Sequence, residues 1–285
     1  MEKIYNKISE KETGFSKSFK MIAEHCYKDP HIFAMSSATE AGNKIGVSET
    51  TVIRFVNFLG YDGYTSFQKD VIEQLFSKGN LKNYKEDKSE ALKRNGSIKE
   101  SILYDIDDLQ KIYNQISEKD LQLVVNKICD ADSIFISGFR ASHPFANWLS
   151  YALDLVKGNA RVYSPTVDDV FIRVSEMTEE SVFIGFSFHR YAKETIQIAK
   201  LAKEQRSTVI IFTDSTSSPI SKVADIVVPI QTYSRSTLDV TVIVFSILNS
   251  IVSAISAINN EDFQKRSEMF DSVNSEDFYF KGYLE

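Results

Sequence analysis

Three short stretches carry the side chains best suited to binding a small anion. They cover residues 138–143, 187–191 and 213–218, and each follows an apolar segment typical of a β-strand. Loops from neighbouring parallel strands meet at the carboxyl edge of the sheet, where the starts of the following helices attract negative charge. Arginine adds charge-assisted hydrogen bonds. We therefore expect an anion site, such as a phosphate site, formed by Ser137, Gly138, Arg140, Ser142, Ser187, His189, Arg190 and Thr213.

A structural explanation of the same residues stays open. Ser and Thr hydroxyls often cap helices, and that role would account for Ser218 and could extend to Ser142. Arg140 and Arg190, which stand in two of these loops, are harder to explain in that way. His25 and His31 lie far from these loops in sequence, and we expect them to be structural or solvated.

A second group of polar residues lies on a short helix near the N-terminus. Residues 37–59 predict two helices joined by a turn at Gly46, because glycine takes positive φ there at little cost. Ser37 or Thr39 can cap the first helix, and Ser48 can cap the second. Apolar residues at helical spacing would pack the two helices together. The pattern predicts a helix-turn-helix, with residues 48–59 as its recognition helix.

The outward residues of this motif are suited to contacts with a double-stranded DNA operator. Arginine binds guanine well, and threonine can bond bases or phosphates or touch a thymine methyl group. Helix starts and Lys44 would hold phosphates. An ordinary helical hairpin in a core is the structural alternative. The predicted DNA contacts are Thr39, Lys44, Ser48, Glu49, Thr50, Thr51 and Arg54.

Length, composition and charge narrow the class of protein. A length of 285 residues, of which 43% are hydrophobic, predicts two domains, each with a hydrophobic core. The most apolar run, residues 240–258, is interrupted by serines and one asparagine, so we expect no membrane span. Cys26 and Cys129 show neither metal-ligand nor disulfide spacing, and the charged N-terminus has no signal-peptide core. We expect a cytoplasmic chain without a metal or cofactor.

The charge is divided unevenly along the chain. Residues 1–78 carry ten basic and ten acidic side chains, whereas residues 101–285 carry 17 basic and 25 acidic ones, a net charge of −8. An acidic region is a poor partner for phosphate backbones, so DNA should meet only the N-terminal part. A neutral DNA-binding domain predicts weak binding by one copy, and we expect a homodimer or homotetramer.

The predicted elements divide the chain into an all-α domain, a linker and an α/β domain. Helical patterns from residue 15 onward predict a helical domain over residues 1–78, and residues 79–96 have the composition of a linker. Ser97 begins a predicted helix with a capping box. From residue 134 onward, five strands alternate with helices, which predicts a doubly wound parallel sheet in residues 97–285. The aromatic tail after residue 259 is expected to pack on a neighbouring surface.

The longer motifs resemble a known family. IGVSETTVIRFVNFLGYDGYTSFQKDV is similar to the N-terminal domain of RpiR-type transcriptional regulators. IFISGFRAS, SVFIGFSFHRYAKETIQIAKLAKE and TVIIFTDSTSSPISKVADIVVPI resemble their C-terminal sugar isomerase (SIS) domain. The resemblance implies an oligomeric repressor or activator that responds to a sugar phosphate. This sequence departs from the family pattern in one loop. The usual loop has the pattern Ser-x-Ser-Gly-x-Thr; here Ser187 keeps the first serine, but His189, Arg190 and Ala192 replace the other three residues. Phosphate binding through charge, a different anion, and no ligand at all stay open.

The resemblance also raises an enzymatic alternative. An aldose–ketose isomerase needs a base, usually with a second acid, near the sugar carbons. His143 or His189 could supply the base, and Asp214 or Asp239 the carboxylate, but the spacing does not require it. Because a DNA-binding domain makes catalysis an unneeded assumption, we expect a regulator and no enzyme. A purely structural domain with an inactive site is a third alternative.

Overall fold

The computed structural model describes residues 1–77, 98–188, 190–230, 240–258 and 260–272. The predicted linker and the capping box at Ser97 therefore lie outside the described residues, as do His189, Asp239 and the end of the aromatic tail. The described residues form an all-α N-terminal domain and an α/β C-terminal domain, as predicted.

Six helices make up the described N-terminal domain. They are α1 (Glu2–Lys11), α2 (Lys17–Lys28), α3 (His31–Met35), α4 (Ala38–Ile45), α5 (Glu49–Phe58) and α6 (Tyr64–Ser77). The first was not predicted: its residues Ile4 and Ile8 are buried in the core shared with α2 and α5. The sequence of α1 is highly charged, and its two buried isoleucines are too few to give a clear helical period, so the sequence did not predict this helix.

Local side-chain bonds set the boundaries of the two central helices. Ser37 and Glu40 form a reciprocal capping box at the start of α4. Gly46 ends α4 with φ 84°, and its N–H donates to the carbonyl of Gly42. Ser48 then caps α5 by accepting from the N–H of Thr51 at 3.2 Å. The predicted helix-turn-helix geometry follows from these three local devices.

The C-terminal domain is built on a five-stranded parallel sheet in the order β2-β1-β3-β4-β5. The strands are β1 (Ile134–Gly138), β2 (Ala160–Val162), β3 (Val182–Phe186), β4 (Thr208–Thr213) and β5 (Ile226–Pro229). The three central strands are buried along nearly their whole length. Apolar residues on both faces suit such strands, since helices cover both sides of a parallel sheet.

Helices cover both faces of this sheet. One face packs on α7 (Ser101–Gln115), α8 (Glu118–Asp130), α9 (His143–Val156) and α12 (Val240–Ile258). The other packs on α10 (Val170–Ser175), α11 (Lys193–Glu204) and the 3-10 turn Pro219–Val223. The last described helix, α13 (Asn260–Ser272), returns to α9, where Arg266 donates to the carbonyls of Asp154 and Leu155.

Two predicted helices are shorter than expected. The pattern of residues 167–177 predicts a helix, but the structure has only α10 there, because Asp168 accepts from the N–H of Ser164 and Asp169 caps the chain at Phe171. The hydroxyl of Ser218 followed by Pro219 predicts the start of another helix, but the structure has only the 3-10 turn Pro219–Val223 there. The hydroxyl oxygen of Ser218, which precedes this turn, lies 2.7 Å from that of Ser221 and does not cap the turn.

Helix α12 is long and apolar enough to cross a membrane by length and composition. Core helices of soluble proteins are often as long and as apolar, so one such helix is weak evidence for a membrane span. In this structure its face around Val244, Leu248 and Ile255 is buried against the sheet and α9. The helix therefore contributes to the core of the C-terminal domain.

Candidate functional site

The strand order places a topological switch point between β1 and β3. The chain leaves β1 toward one face of the sheet through α9 and leaves β3 toward the other face through α11. The two loops therefore diverge and leave a crevice at their carboxyl ends, where doubly wound sheets bind ligands. The first and second predicted loops border this crevice.

Three buried hydroxyl groups without a hydrogen-bond partner lie at this edge. Ser137, Ser187 and Thr195 are each at most 2% exposed, and their side-chain oxygens have no partner among the described residues. Ser137 pairs in register with Gly185, and a Cβ at Gly185 would lie 3.4 Å from the methyl carbon of Thr195. Because side chains alternate along a strand, Ser137 and Ser187 face the same side as Thr195.

Unsatisfied buried hydroxyls cost free energy, about 1–3 kcal/mol each, so native proteins contain few of them. Here they lie beside the start of α11, whose N-cap residue, Ala192, offers no side-chain acceptor to the first N–H groups. Hydroxyls and free helix N–H groups together form a donor set for an oxyanion. A phosphate or carboxylate group fits this chemistry.

The first loop approaches this edge closely because it contains glycine. A Cβ added at Gly138 would lie 2.5 Å from the carbonyl oxygen and 2.9 Å from the carbonyl carbon of Ser142. Only glycine therefore allows the turn Arg140–Ser142 to fold back on the end of β1. The Nδ1 atom of His143 lies 3.3 Å from the carbonyl oxygen of Gly138, which holds the imidazole against the same turn.

The two predicted arginines both adopt left-handed backbone conformations. Arg140 has φ 55° and Arg190 has φ 71°. Non-glycine residues in this region are uncommon and store of order 1–3 kcal/mol of strain, often at functional loops. The guanidinium of Arg140 binds the carboxylate of Glu194, in the first turn of α11, at 3.1 Å across the crevice. The side chain of Arg140 is 70% exposed and that of Glu194 is 44% exposed, so this bridge is weak and displaceable.

The third loop is organised around a tyrosine–carboxylate pair. The hydroxyl of Tyr191 donates to Oδ1 of Asp214 at 2.7 Å, and Thr213 donates to the same oxygen at 3.3 Å. Burial, followed by the negative charge of Asp214, raises the pKa of Tyr191 far above its ordinary value. Tyr191 therefore stays protonated and acts as a fixed donor.

Much of the third loop serves its own structure. Ser215 accepts from the N–H of Ser217, and Ser221 donates to the carbonyl of Ser215. Ser218 and Ser221 share a hydroxyl–hydroxyl bond. Neither serine that was expected to cap a helix does so: the hydroxyl of Ser218 bonds that of Ser221 instead, and Ser142 is not a side-chain cap of α9.

The predicted DNA-contact residues divide into exposed and engaged groups. Glu49, Thr50 and Arg54 are exposed on α5. Ser48 and Thr51 bond each other at the helix start, and Thr39 donates to Glu49 at 2.6 Å, which ties α4 to α5. These contacts leave Thr50 and Arg54 as the predicted base-reading pair, and the assignment to DNA stays a prediction.

Lys44 lies in a different environment from the one predicted. Its Nζ atom donates to the hydroxyl of Ser217, in the C-terminal domain, at 3.3 Å. The predicted phosphate contact is thus engaged within the chain in this arrangement.

Sequence reasoning missed Thr195 and Tyr191 as site residues. Thr195 stands in the first turn of α11, three residues after Ala192, the position at which the family pattern has threonine. A threonine in the first turn after a strand–loop segment was the available signal. The role of Tyr191 depends on Asp214, 23 positions away, and no local pattern reveals it.

Comparison with known families covers both domains. The model of the rpiR-family helix-turn-helix domain matches residues 2–78, and that of the SIS domain matches residues 127–259. The chain is 25% identical over 246 residues to an uncharacterised HTH-type transcriptional regulator of Haemophilus influenzae, covering 79% of this chain and 78% of that protein. A counterpart in Thermotoga maritima is 23% identical, with coverage of 80% and 81%.

Solved structures share the fold. The NanR protein of Vibrio vulnificus, complexed with ManNAc-6P, aligns with a TM-score of 0.57 at 19% identity, over 94% of this chain and 98% of that one. The sugar isomerase domain of an RpiR transcription factor from Sphaerobacter thermophilus aligns with a TM-score of 0.55 at 23% identity, over 60% and 96%. With an rpiR-family helix-turn-helix domain followed by a SIS domain, the chain belongs to the RpiR-type transcriptional regulators.

Proposed function

We propose that this regulator binds a DNA operator with an affinity controlled by a phosphorylated sugar, or a related anionic metabolite, bound to its SIS domain. The observation that carries the effector site is the group of three buried hydroxyls at the switch point, which have no partner among the described residues and lie beside the start of α11, where no side chain caps the helix. The complex of NanR with ManNAc-6P, a protein of the same overall fold, supports a sugar phosphate as the class of ligand.

Charge in the neighbouring loops supports the same proposal. Arg140 reaches Glu194 across the crevice through an exposed ion pair that an anionic ligand can displace. His189 and Ala192 stand where the usual loop has hydroxyls, and Arg190 stands where it has glycine, which shifts recognition from hydroxyl bonds toward charge. The proposed ligand contacts are Ser137, Gly138, Arg140, Ser142, Ser187, His189, Arg190, Thr195 and Thr213.

We propose Thr50 and Arg54 as the base-reading residues and the start of α5 as a phosphate contact. A two-fold operator fits a homodimer or homotetramer, with half-sites about 34 Å apart or a multiple of it. A cytoplasmic location goes with binding to DNA and to a metabolite.

The isomerase alternative has less support in the site. Asp214 already accepts from Tyr191 and Thr213, and His143 lies against the carbonyl of Gly138. The other proposed catalytic residues, His189 and Asp239, lie outside the described residues. We therefore expect no turnover of sugar phosphates by the purified chain.

The test is a thermal-shift screen with N-acetylmannosamine 6-phosphate, other hexose and pentose phosphates, the matching free sugars and inorganic phosphate. A phosphorylated sugar should raise Tm where its free sugar does not, and the same hits should change binding to a duplex selected by the chain from a random pool. No hit, or a hit that survives loss of both Arg140 and Arg190, would contradict the site. Turnover of a hit would favour the isomerase.

A second variant separates ligand binding from folding. Ser187→Ala removes a buried hydroxyl without a partner, so the unliganded protein should be as stable as wild type or slightly more stable. The thermal shift by the hit should be reduced or lost. Ser181→Ala is the matched control: Ser181 is buried, and its hydroxyl bonds Asp132 and Ser133. Loss of the Ser181 hydroxyl should lower the Tm of the unliganded protein and leave the ligand-induced shift in Tm unchanged.

A further inference from the structure

The N-terminal domain touches the C-terminal domain through the candidate effector loops. Ser215 donates to Oδ1 of Asp29 at 2.9 Å, and Tyr191 lies 3.1 Å from Nδ1 of His31. Since the Tyr191 hydroxyl uses its hydrogen toward Asp214, it accepts from His31, whose Nδ1 must then carry a hydrogen. These are two neighbouring contacts, one between Ser215 and Asp29 and one that joins His31, Tyr191 and Asp214, and we call the two together the latch.

The latch is built from buried and rigid groups on its C-terminal side. Ser215 is 1% exposed and Tyr191 is 8% exposed. Tyr191 immediately follows Arg190, and Asp214 immediately follows Thr213, so these two latch residues each adjoin a proposed effector contact. A ligand that moves either loop must therefore disturb the latch.

On its N-terminal side, the docked arrangement engages the helix expected to face DNA phosphates. The first helix of a helix-turn-helix crosses the DNA backbone, and here that helix is α4. Its Lys44 donates to Ser217, and the Lys222 charge, after the Ser37 backbone hydrogen bond, helps to lower the pKa of Glu40 on the same helix. The C-terminal domain, with a net charge of −8 over residues 101–285, thus stands beside α4 and engages the lysine that was expected to bind phosphate.

We propose, on the basis of the proposed function, that the latch holds the helix-turn-helix domain against the effector loops in a state with low operator affinity. Opening the latch frees Lys44 and moves the acidic domain away from α4. Because the effector loops form one side of the latch, effector occupancy and latch closure are linked, and each changes the equilibrium of the other.

A reversible cross-link tests this arrangement in the full chain. Asp29→Cys and Ser215→Cys are combined in a Cys129→Ala background, while Cys26 is left in place because it is fully buried and burial raises its thiol pKa above its ordinary value. A short bis-methanethiosulfonate reagent then joins the two new thiols. The readouts are operator affinity, for a duplex that the wild-type chain selects from a random pool, and mobility on a non-reducing denaturing gel.

The expected result is a cross-link within one chain, which migrates as a monomer, and at least a tenfold loss of operator affinity. Reduction with dithiothreitol should restore that affinity. The single variants Asp29→Cys and Ser215→Cys, treated with the same reagent, control for modification alone. Tyr191→Phe, which weakens the latch without a cross-link, should raise operator affinity severalfold.

Three outcomes would overturn the proposal: no cross-link, a cross-link only between two chains, or a cross-linked chain with unchanged affinity. Weaker DNA binding by Tyr191→Phe would also count against it. If the wild-type chain selected no DNA duplex, both the proposed function and the proposed inhibition of DNA binding by the latch would fail. The yield of the in-chain cross-link would then still show whether the docked contact exists.

Discussion

Replacing Gly42 with alanine tests how closely the two helices of the helix-turn-helix are packed. A Cβ at this position would lie 2.7 Å from the carbonyl oxygen of Val47 and 3.3 Å from the N atom of Glu49. Both are backbone atoms, which cannot rotate away as a side chain can. The substitution must therefore push α5 away from α4 or distort the turn between them.

The expected magnitude follows from two opposing effects. Alanine is a better helix former than glycine by about 1 kcal/mol, which would stabilise α4. Overpacking costs about 1–3 kcal/mol, and contact with backbone places this case near the upper end. We expect Gly42→Ala to destabilise the N-terminal domain by about 1–2 kcal/mol and to displace the recognition helix.

Hydrogen exchange measures this change within the full chain. Peptides covering α4 and α5 report the opening of the amides of Gly46 and Val47, which both donate to the carbonyl of Gly42 at 2.9 Å. A loss of about 1–2 kcal/mol corresponds to a 5- to 30-fold faster exchange. Peptides from the C-terminal sheet should exchange at the wild-type rate.

Asn43→Ala is the matched control, since it changes the adjacent, exposed position of the same helix. It gains helix propensity without a backbone clash, so exchange should slow slightly. If Gly42→Ala slowed exchange as much as Asn43→Ala does, the close approach of the two helices would be refuted.

Three further predictions address DNA binding, assembly and pH. Arg54→Ala should cost about 1–3 kcal/mol of operator binding and relax the preference at one base pair, as measured by selection and fluorescence anisotropy; unchanged binding would exclude this contact. The full chain should sediment as a dimer or larger species at micromolar concentration. Leu103 and Ile106 are more than half exposed on α7, and replacing both with glutamate should dissociate that species; a dimer that survives the change would show that this face is not the interface. Asp168 accepts from the N–H of Ser164 and binds Arg173 and Arg161; these contacts outweigh its burial and lower its pKa. Its contribution to stability is therefore full above the unfolded pKa, about 4, and is lost as pH falls through the folded pKa. Asp168→Asn should lower Tm at pH 7, and the difference from wild type should shrink as pH falls below about 4; a difference in Tm that does not change with pH would contradict this account.

Residues that act on their immediate neighbours were readable from the sequence. The hydroxyl caps at Ser37 and Ser48 act within three residues, and Gly46 ends its own helix. The apolar strands and amphipathic helices are likewise local patterns. The fold class, the two domains and the helix-turn-helix followed from these signals.

Tertiary structure alone decided which distant residues meet. Thr195 lies near Ser137 only because β1 pairs with β3 and α11 packs on that face of the sheet. Ile4 and Ile8 make α1 part of the core only through contacts with other helices. Lys44 reaches Ser217, 173 positions away, because the two domains dock. Such contacts depend on strand order and domain packing, whose energies are spread over many distant residues, and so no local spacing encodes them.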